Sequence, residues 1–341
     1  MGIGDKLRDG SGTQKIPDLG SELAKPVFSI TSDIFLYRRC SRQYGFVKVR
    51  GYPDEAGSQA FIGDLVHNTM EDVTLHLTTT GKEPTDSEVA EIMIRHYKQL
   101  ISQGAIPRDW NALKSIGCKV MVLVRTMSVY GVLKQINSAE QTLLSDEGKH
   151  IFQGRVDAVY DTSSGSFEIW DYKSARDPRE ILSALNPKNP IYSIWQRYLE
   201  DSAAQLQLYT HLFETTYHKK PESAKLVYIP NIPLTAPVPG AGKMKPEDTW
   251  RAYTPPPIAK SDWAFFHMQK QMGMSGIGPI FSIPVAKKDI RVAMVDLQNT
   301  ADDILDQRLR DNWPVPAATQ RPDKEKTCDV CAVRHTCDAW P

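Results

Sequence analysis

The sequence predicts an α/β protein, on three observations. Residues Ile151–Tyr160 alternate in a strand-like way, Asp161–Ser166 carry turn chemistry, and Phe167–Tyr172 resume the strand, so a hairpin is expected. Stretches 59–77, 86–103, 111–137 and 288–310 carry apolar residues at helical spacing. A further short strand reads at Ala224–Pro230, AKLVYIP.

With 341 residues, 41% of them apolar and 24% charged, the chain can bury a core without covalent staples, as one large domain or two modest ones. Its polar start, MGIGDKLRDGSGTQK, lacks the apolar centre of a secretory leader. The most apolar helical run, Ile116–Leu133, is interrupted by Lys119 and Arg125, so no membrane span is expected. Forty-one basic residues balance forty-one acidic ones, and a polyanionic partner would have to be met by a local basic surface. The densest basic run, Arg38, Arg39, Arg42, Lys48 and Arg50, reads as a solvated helix face. Five cysteines, an odd number without a secretory signal, point to a reducing, cytoplasmic compartment.

Residues 1–26 read as a flexible tail, with order beginning near Val27. The segment Thr31–Tyr44 opens on capping residues and places Ile34, Leu36, Tyr37 and Cys40 at helical spacing. In the next helix Phe61, Leu65, Val66, Met70, Val73 and Leu77 fill one face, leaving His67 and Glu71 on the opposite side with Asp64. The helices at 86–103 and 111–137 read as packing elements, with Cys118 as a core residue of the second. After the hairpin, 177–202 reads as irregular, with Pro187 and Pro190 and the aromatics Tyr192, Trp195 and Tyr198, suited to a lid or a packed insertion. A helix from Asp201 then makes Gln205 and Tyr209 neighbours one turn apart. Residues 231–260, rich in proline, glycine and lysine, read as an excursion away from the core.

The hairpin holds the chemistry. Alternation puts Asp171 and Lys173 on one face and Trp170 and Tyr172 on the other, and antiparallel pairing brings Asp157 across from Asp171. Two facing carboxylates repel unless something neutralises them. A hard divalent cation does so, and it makes a nucleophile of a bound water beside which Lys173 can stabilise phosphate charge.

The carboxyl end reads Cys328-Asp-Val-Cys331-Ala-Val-Arg-His-Thr-Cys337, three thiols at C-x2-C-x5-C spacing that can converge on one metal centre. Cys40 is the natural fourth ligand, and His335 could replace a thiolate. Four thiolates suit either zinc or a [4Fe-4S] cluster, with a structural role in tying the chain ends together.

Gly154-Arg-Val-Asp157 followed by Ile169-Trp-Asp171-Tyr-Lys173-Ser resembles the core motif of the PD-(D/E)xK nuclease superfamily, specifically its RecB-like branch. Gly63-Asp-Leu-Val-His67-Asn-Thr-Met-Glu71 is similar to that branch's G-x-x-x-H-x-x-x-E helix, and Gln205 with Tyr209 to its Q-x-x-x-Y motif. Ser32 to Tyr44 resembles the S-x-x-x-x-Y-x-x-C-P-x-x-Y signature of members that bind an iron-sulphur cluster, with Ser41 in place of the proline. The cysteine spacing resembles that of AddB nuclease domains and CRISPR-associated RecB-like exonucleases. The resemblance implies a restriction-endonuclease-like core, a small mixed central sheet flanked by helices, with helical insertions and a C-terminal cysteine loop. It implies one domain over 27–341: a mainly helical part at 27–150, a catalytic core at 151–230, and an insertion with the cluster segment at 231–341. It implies Mg2+ or Mn2+ held by His67, Asp157, Asp171 and the Tyr172 carbonyl, catalysis by Asp157, Asp171 and Lys173 with Gln205 and Tyr209, and a [4Fe-4S] cluster, in preference to zinc, on Cys40, Cys328, Cys331 and Cys337. The implied substrate is single-stranded DNA or a DNA end, cut exonucleolytically. Alternatives are a DNA-processing subunit with protein partners in CRISPR spacer acquisition or recombination and repair, and a zinc-stapled non-catalytic DNA-binding protein.

Overall fold

A computed structural model describes residues 25–52, 58–107, 109–240, 242–258, 278–315, 328, 331 and 333–338. Most of the expected flexible tail, residues 1–24, lies outside the described residues. Six strands form one mixed sheet: β1 (Val27–Ser29), β2 (Ile136–Asp146), β3 (Ile151–Asp161), β4 (Phe167–Lys173), β5 (Ser223–Tyr228) and β6 (Ile280–Ile283). β2 runs antiparallel along one edge of β3. On the other edge β1 pairs in parallel with residues 151–153 and β4 antiparallel with 158–161. β4 and β5 are parallel, β5 and β6 antiparallel.

Helices cover both faces, as apolar stripes and a two-sided sheet require. On one face α1 (Ser58–Thr80), α2 (Asp86–Ser102) and α3 (Trp110–Val129) pack with Tyr160, Trp170 and Tyr172. On the other, α5 (Pro190–Tyr217) and α7 (Lys287–Arg310) pack with Phe152, Val156, Ile169 and Leu226. The two buried sets alternate along β4, so the sheet is buried on both sides, as its apolar strands anticipate.

Four expectations are corrected. The helix expected over 111–137 stops at Val129, because Gly131 takes a left-handed φ of 71° and the chain re-enters the sheet as β2. The stretch 177–202 is not irregular: it holds α4 (Pro178–Ala184) and the first turns of α5, whose prolines stand at helix starts behind the caps Asp177 and Asn189. Within the expected excursion at 231–260, the described residues 231–240 and 242–258 instead pack on the helical layer. They carry α6 (Pro246–Ala252), whose Trp250 is fully buried, donates its indole N–H to the Lys114 carbonyl at 3.2 Å, and lies against Gly117, where a Cβ would meet the indole at 2.2 Å. Finally, the helix expected from Thr31 breaks at Cys40, which is extended (φ −161°, ψ 106°) between the helical turns Leu36–Arg39 and Ser41–Tyr44.

Among the described residues no helix is long and apolar enough to cross a membrane. In the basic run, Arg38 pairs with Asp296 at 2.6 Å, Arg42 with Asp338 at 3.5 Å, Lys48 with Asp33 at 3.7 Å and Arg50 with Asp311 at 3.6 Å. That run is therefore largely neutralised.

Candidate active site

The site forms where β3 and β4 part. Their ladder ends at Ala158 opposite Trp170, while β4 stays paired with β5 as far as Lys173. Gly154 shows what fills the fork: the Tyr209 ring of α5 sits where a Cβ would lie, at 2.7 and 2.8 Å. The Tyr172 N–H, beyond the end of the ladder, is met by Asp157 Oδ2 at 2.7 Å, as the pairing of buried backbone donors demands. Because N–H and C=O of one strand residue leave by the same edge, the Tyr172 carbonyl is directed toward the same fork.

From α1, His67 Nδ1 comes within 3.3 Å of Asp157 Oδ2 and 3.7 Å of Glu140 Oε1. One ligand atom from each of His67, Glu140 and Asp157 falls within a mutual 4.8 Å, a group able to hold a metal ion. Glu140 was not expected from the sequence. It lies on β2 with a left-handed φ of 50°, rare for a side chain of its size, and its carboxylate is paired with Arg155 Nε. The polar run Asn137–Thr142 hid the strand that carries it; an acid directly before an alternating hairpin was the available signal.

Asp171 stands beside this group rather than within it. It is 2% exposed, and its Oδ2 has the Lys173 ammonium at 2.7 Å but no hydrogen bond of good geometry. Burial raises its pKa, against the attraction of Lys173. Lys173 also donates to Gln205 Oε1 at 2.9 Å, while Gln205 Nε2 donates to Asp171 Oδ1 at 3.1 Å and to the Tyr209 hydroxyl at 3.0 Å. Gln205 and Tyr209 are both buried, with Gln205 bridging Lys173 and Asp171 and Tyr209 behind it. Burial works to lower the pKa of His67, yet Asp157, Glu140 and Asp171 outweigh it and hold the imidazole up to about 10.

The donor set, an imidazole and hard carboxylate oxygens with one buried oxygen short of a donor, fits Mg2+ or Mn2+. A cleft of about 1260 Å3 opens beside it, lined by Lys173 and Gln205 and by Phe35, Tyr37, Arg197 and Tyr198.

A sequence model described as the PD-(D/E)XK nuclease superfamily matches residues 29–338. The chain belongs to that superfamily. The mixed six-stranded sheet between helical layers is consistent with the superfamily's restriction-endonuclease-like fold. Membership supports phosphodiester hydrolysis as the chemistry, nucleic acid as the substrate, and the Mg2+ or Mn2+ that PD-(D/E)XK nucleases typically use. No curated protein matches the sequence. Among solved structures the chain is similar to one titled "Crystal structure of SSO0001", at 14% identity over 90% of this chain and 97% of that one. The TM-score is 0.28, too low to carry weight for fold or function.

A second cluster lies in this PD-(D/E)XK chain away from the fork. Cys40, Cys328, Cys331 and Cys337 line one small cavity with Arg42, Gln43, Val333 and Arg334. Burial, and behind it the nearby thiols, raise the pKa of Cys40 and Cys331. Ser41, where the resembled signature has proline, donates its hydroxyl to the Pro314 carbonyl at 2.7 Å and so ties the two ends of the chain together in its own way. Cys118 is buried in the helical layer, as expected.

Proposed function

We propose that the chain is a divalent-metal-dependent deoxyribonuclease that digests single-stranded DNA or DNA ends exonucleolytically. The observation that carries this reading is the convergence of His67, Glu140 and Asp157 in a strand fork beside the Asp171–Lys173 pair. His67, Asp157, Asp171 and the Tyr172 carbonyl hold the ion, with Glu140 added to the set. A bound divalent cation supplies a water of lowered pKa and offsets charge building on phosphate. Lys173, steered by Gln205, holds the attacking water and donates to the phosphate oxygens. Gln205 fixes the ammonium and the Asp171 carboxylate in one geometry, and Tyr209 backs Gln205 from the core. Phe35, Tyr37 and Tyr198 line the adjoining cleft, and aromatic side chains along a strand-binding groove are the kind that meet unpaired bases, which favours single strands and frayed ends over intact duplex.

The four cysteines are read as ligands of a structural [4Fe-4S] cluster. What supports a shared ligand set is that Cys40, Cys328, Cys331 and Cys337 line one small cavity.

The test is cleavage of 5′- and 3′-labelled linear single strands, duplexes and circular single strands, with Mg2+, Mn2+ or EDTA. Metal-dependent loss of linear single strands, with circles spared and Asp171→Ala inactive yet still binding DNA, is expected. Undiminished cleavage by Asp171→Ala, or none by the native chain with either metal, overturns the reading.

A further inference from the structure

Carboxylates crowd the fork: Glu71, Glu140, Asp157 and Asp171 all face it or flank it, and a DNA phosphate must approach that edge. In the basic run at 38–50, Arg38, Arg42, Lys48 and Arg50 pair with Asp296, Asp338, Asp33 and Asp311, none of which belongs to the metal group. Arg155 is differently placed. It lies on β3 two residues before Asp157, on the same side of the strand, with its side chain 60% exposed. Its Nε meets Glu140, and its NH2 lies 3.7 Å from Glu71. A guanidinium engaged through Nε keeps other N–H groups in a planar fork that matches a phosphate's oxygens.

Resting on the proposed nuclease reading, we infer that Arg155 is a substrate-positioning residue that grips a backbone phosphate of the DNA strand next to the metal group. Arg155 is also coupled to that group through Glu140. Its charge is drawn toward the Glu140 carboxylate. A divalent cation held by the His67, Glu140 and Asp157 group would offset that carboxylate and leave the guanidinium's field turned outward. Metal binding and DNA binding therefore reinforce each other, a coupling that is reciprocal by linkage. The recognised chemistry is a phosphodiester anion and carries no base preference.

The test is fluorescence anisotropy with a labelled single-stranded oligonucleotide, in an Asp171→Asn background so that the probe survives. Adding Arg155→Gln is expected to weaken binding about tenfold in Mg2+. It should also reduce the slope of log affinity against log salt by about 0.7, the counterions released by one single-strand phosphate contact. Arg155→Lys should restore the slope and part of the affinity, because the point charge returns without the fork. Mg2+ should tighten binding of the Asp171→Asn chain more than of the Asp171→Asn, Arg155→Gln chain. A role confined to holding Glu140 would shift the Mg2+ concentration needed and leave the salt slope alone. An unchanged slope with Arg155→Gln therefore overturns the inference while the nuclease reading stands. A native chain that neither cleaves nor binds the oligonucleotide takes both down.

Discussion

Asp157 reaches across the fork between two strands and accepts the peptide N–H of Tyr172 at 2.7 Å, so a candidate metal ligand is also the cap on the strand that carries Asp171 and Lys173. One side chain thereby serves fold and site. Asp157→Ala leaves that buried N–H without an acceptor, and a loss of about 1–3 kcal/mol in urea unfolding is expected. Asp157→Asn keeps an acceptor oxygen and should stay within about 1 kcal/mol of the native chain, yet lose metal-dependent cleavage. Equal destabilisation by the two changes would show that the cap does not matter.

Gln205 stands between the ammonium of Lys173 and the carboxylate of Asp171, at the wall of the cleft, with 9% of its surface exposed. Gln205→Ala frees Lys173 to wander and leaves Asp171 short of a donor. A fall in kcat of roughly ten- to a hundredfold, with KM for an oligonucleotide little changed, is the expected outcome for a positioning role. A raised KM with unchanged kcat would instead make Gln205 a binding residue.

These relationships explain how much was legible in advance. The hairpin was readable because β3 and β4 alternate and Asp161–Ser166 is unmistakable turn chemistry; the placement of Asp171, Lys173, Trp170 and Tyr172 followed from that period alone. The apolar pattern put His67 on the polar side of its helix, and only the resemblance of Gly63–Glu71 to a family motif made it a candidate ligand. Glu140 was not legible, since β2 has almost no apolar alternation until Leu143 and its pattern continues the preceding helix. Trp250 was lost among prolines and glycines, where composition says loop while one indole decides the packing. Pro190 was misread as a breaker because nothing local tells a proline inside a helix from one that starts it.

The cysteine reading has its own test. Cys40 is held extended between two helical turns, with Gln43 N–H donating to its sulphur at 3.4 Å, and it lines one cavity with three thiols from the other end of the chain. Anaerobically purified protein is expected to be brown and to contain about four irons per chain. Cys40→Ser should lose most of that iron and lower the unfolding temperature, while Cys118→Ala, in the helical layer, should keep it. Stoichiometric zinc and no iron would replace the cluster with a zinc staple.

His67 links the metal group to pH. Burial disfavours its charge, but Asp157, Glu140 and Asp171 hold its folded pKa near 10, above the ordinary 6.5. The sign follows: the bound proton stabilises the metal-free fold fully below pH 6.5, and that contribution drains away as pH rises toward 10. The unfolding temperature in EDTA is therefore expected to fall over that interval, and less so in His67→Gln. A divalent cation needs the neutral imidazole, so it competes with the proton. At a fixed subsaturating Mg2+ concentration the rise in unfolding temperature should be larger at pH 9 than at pH 6.5. If the increment is the same at both, or if His67→Gln leaves it unchanged, His67 is not a ligand, and the ion must be held by carboxylates alone.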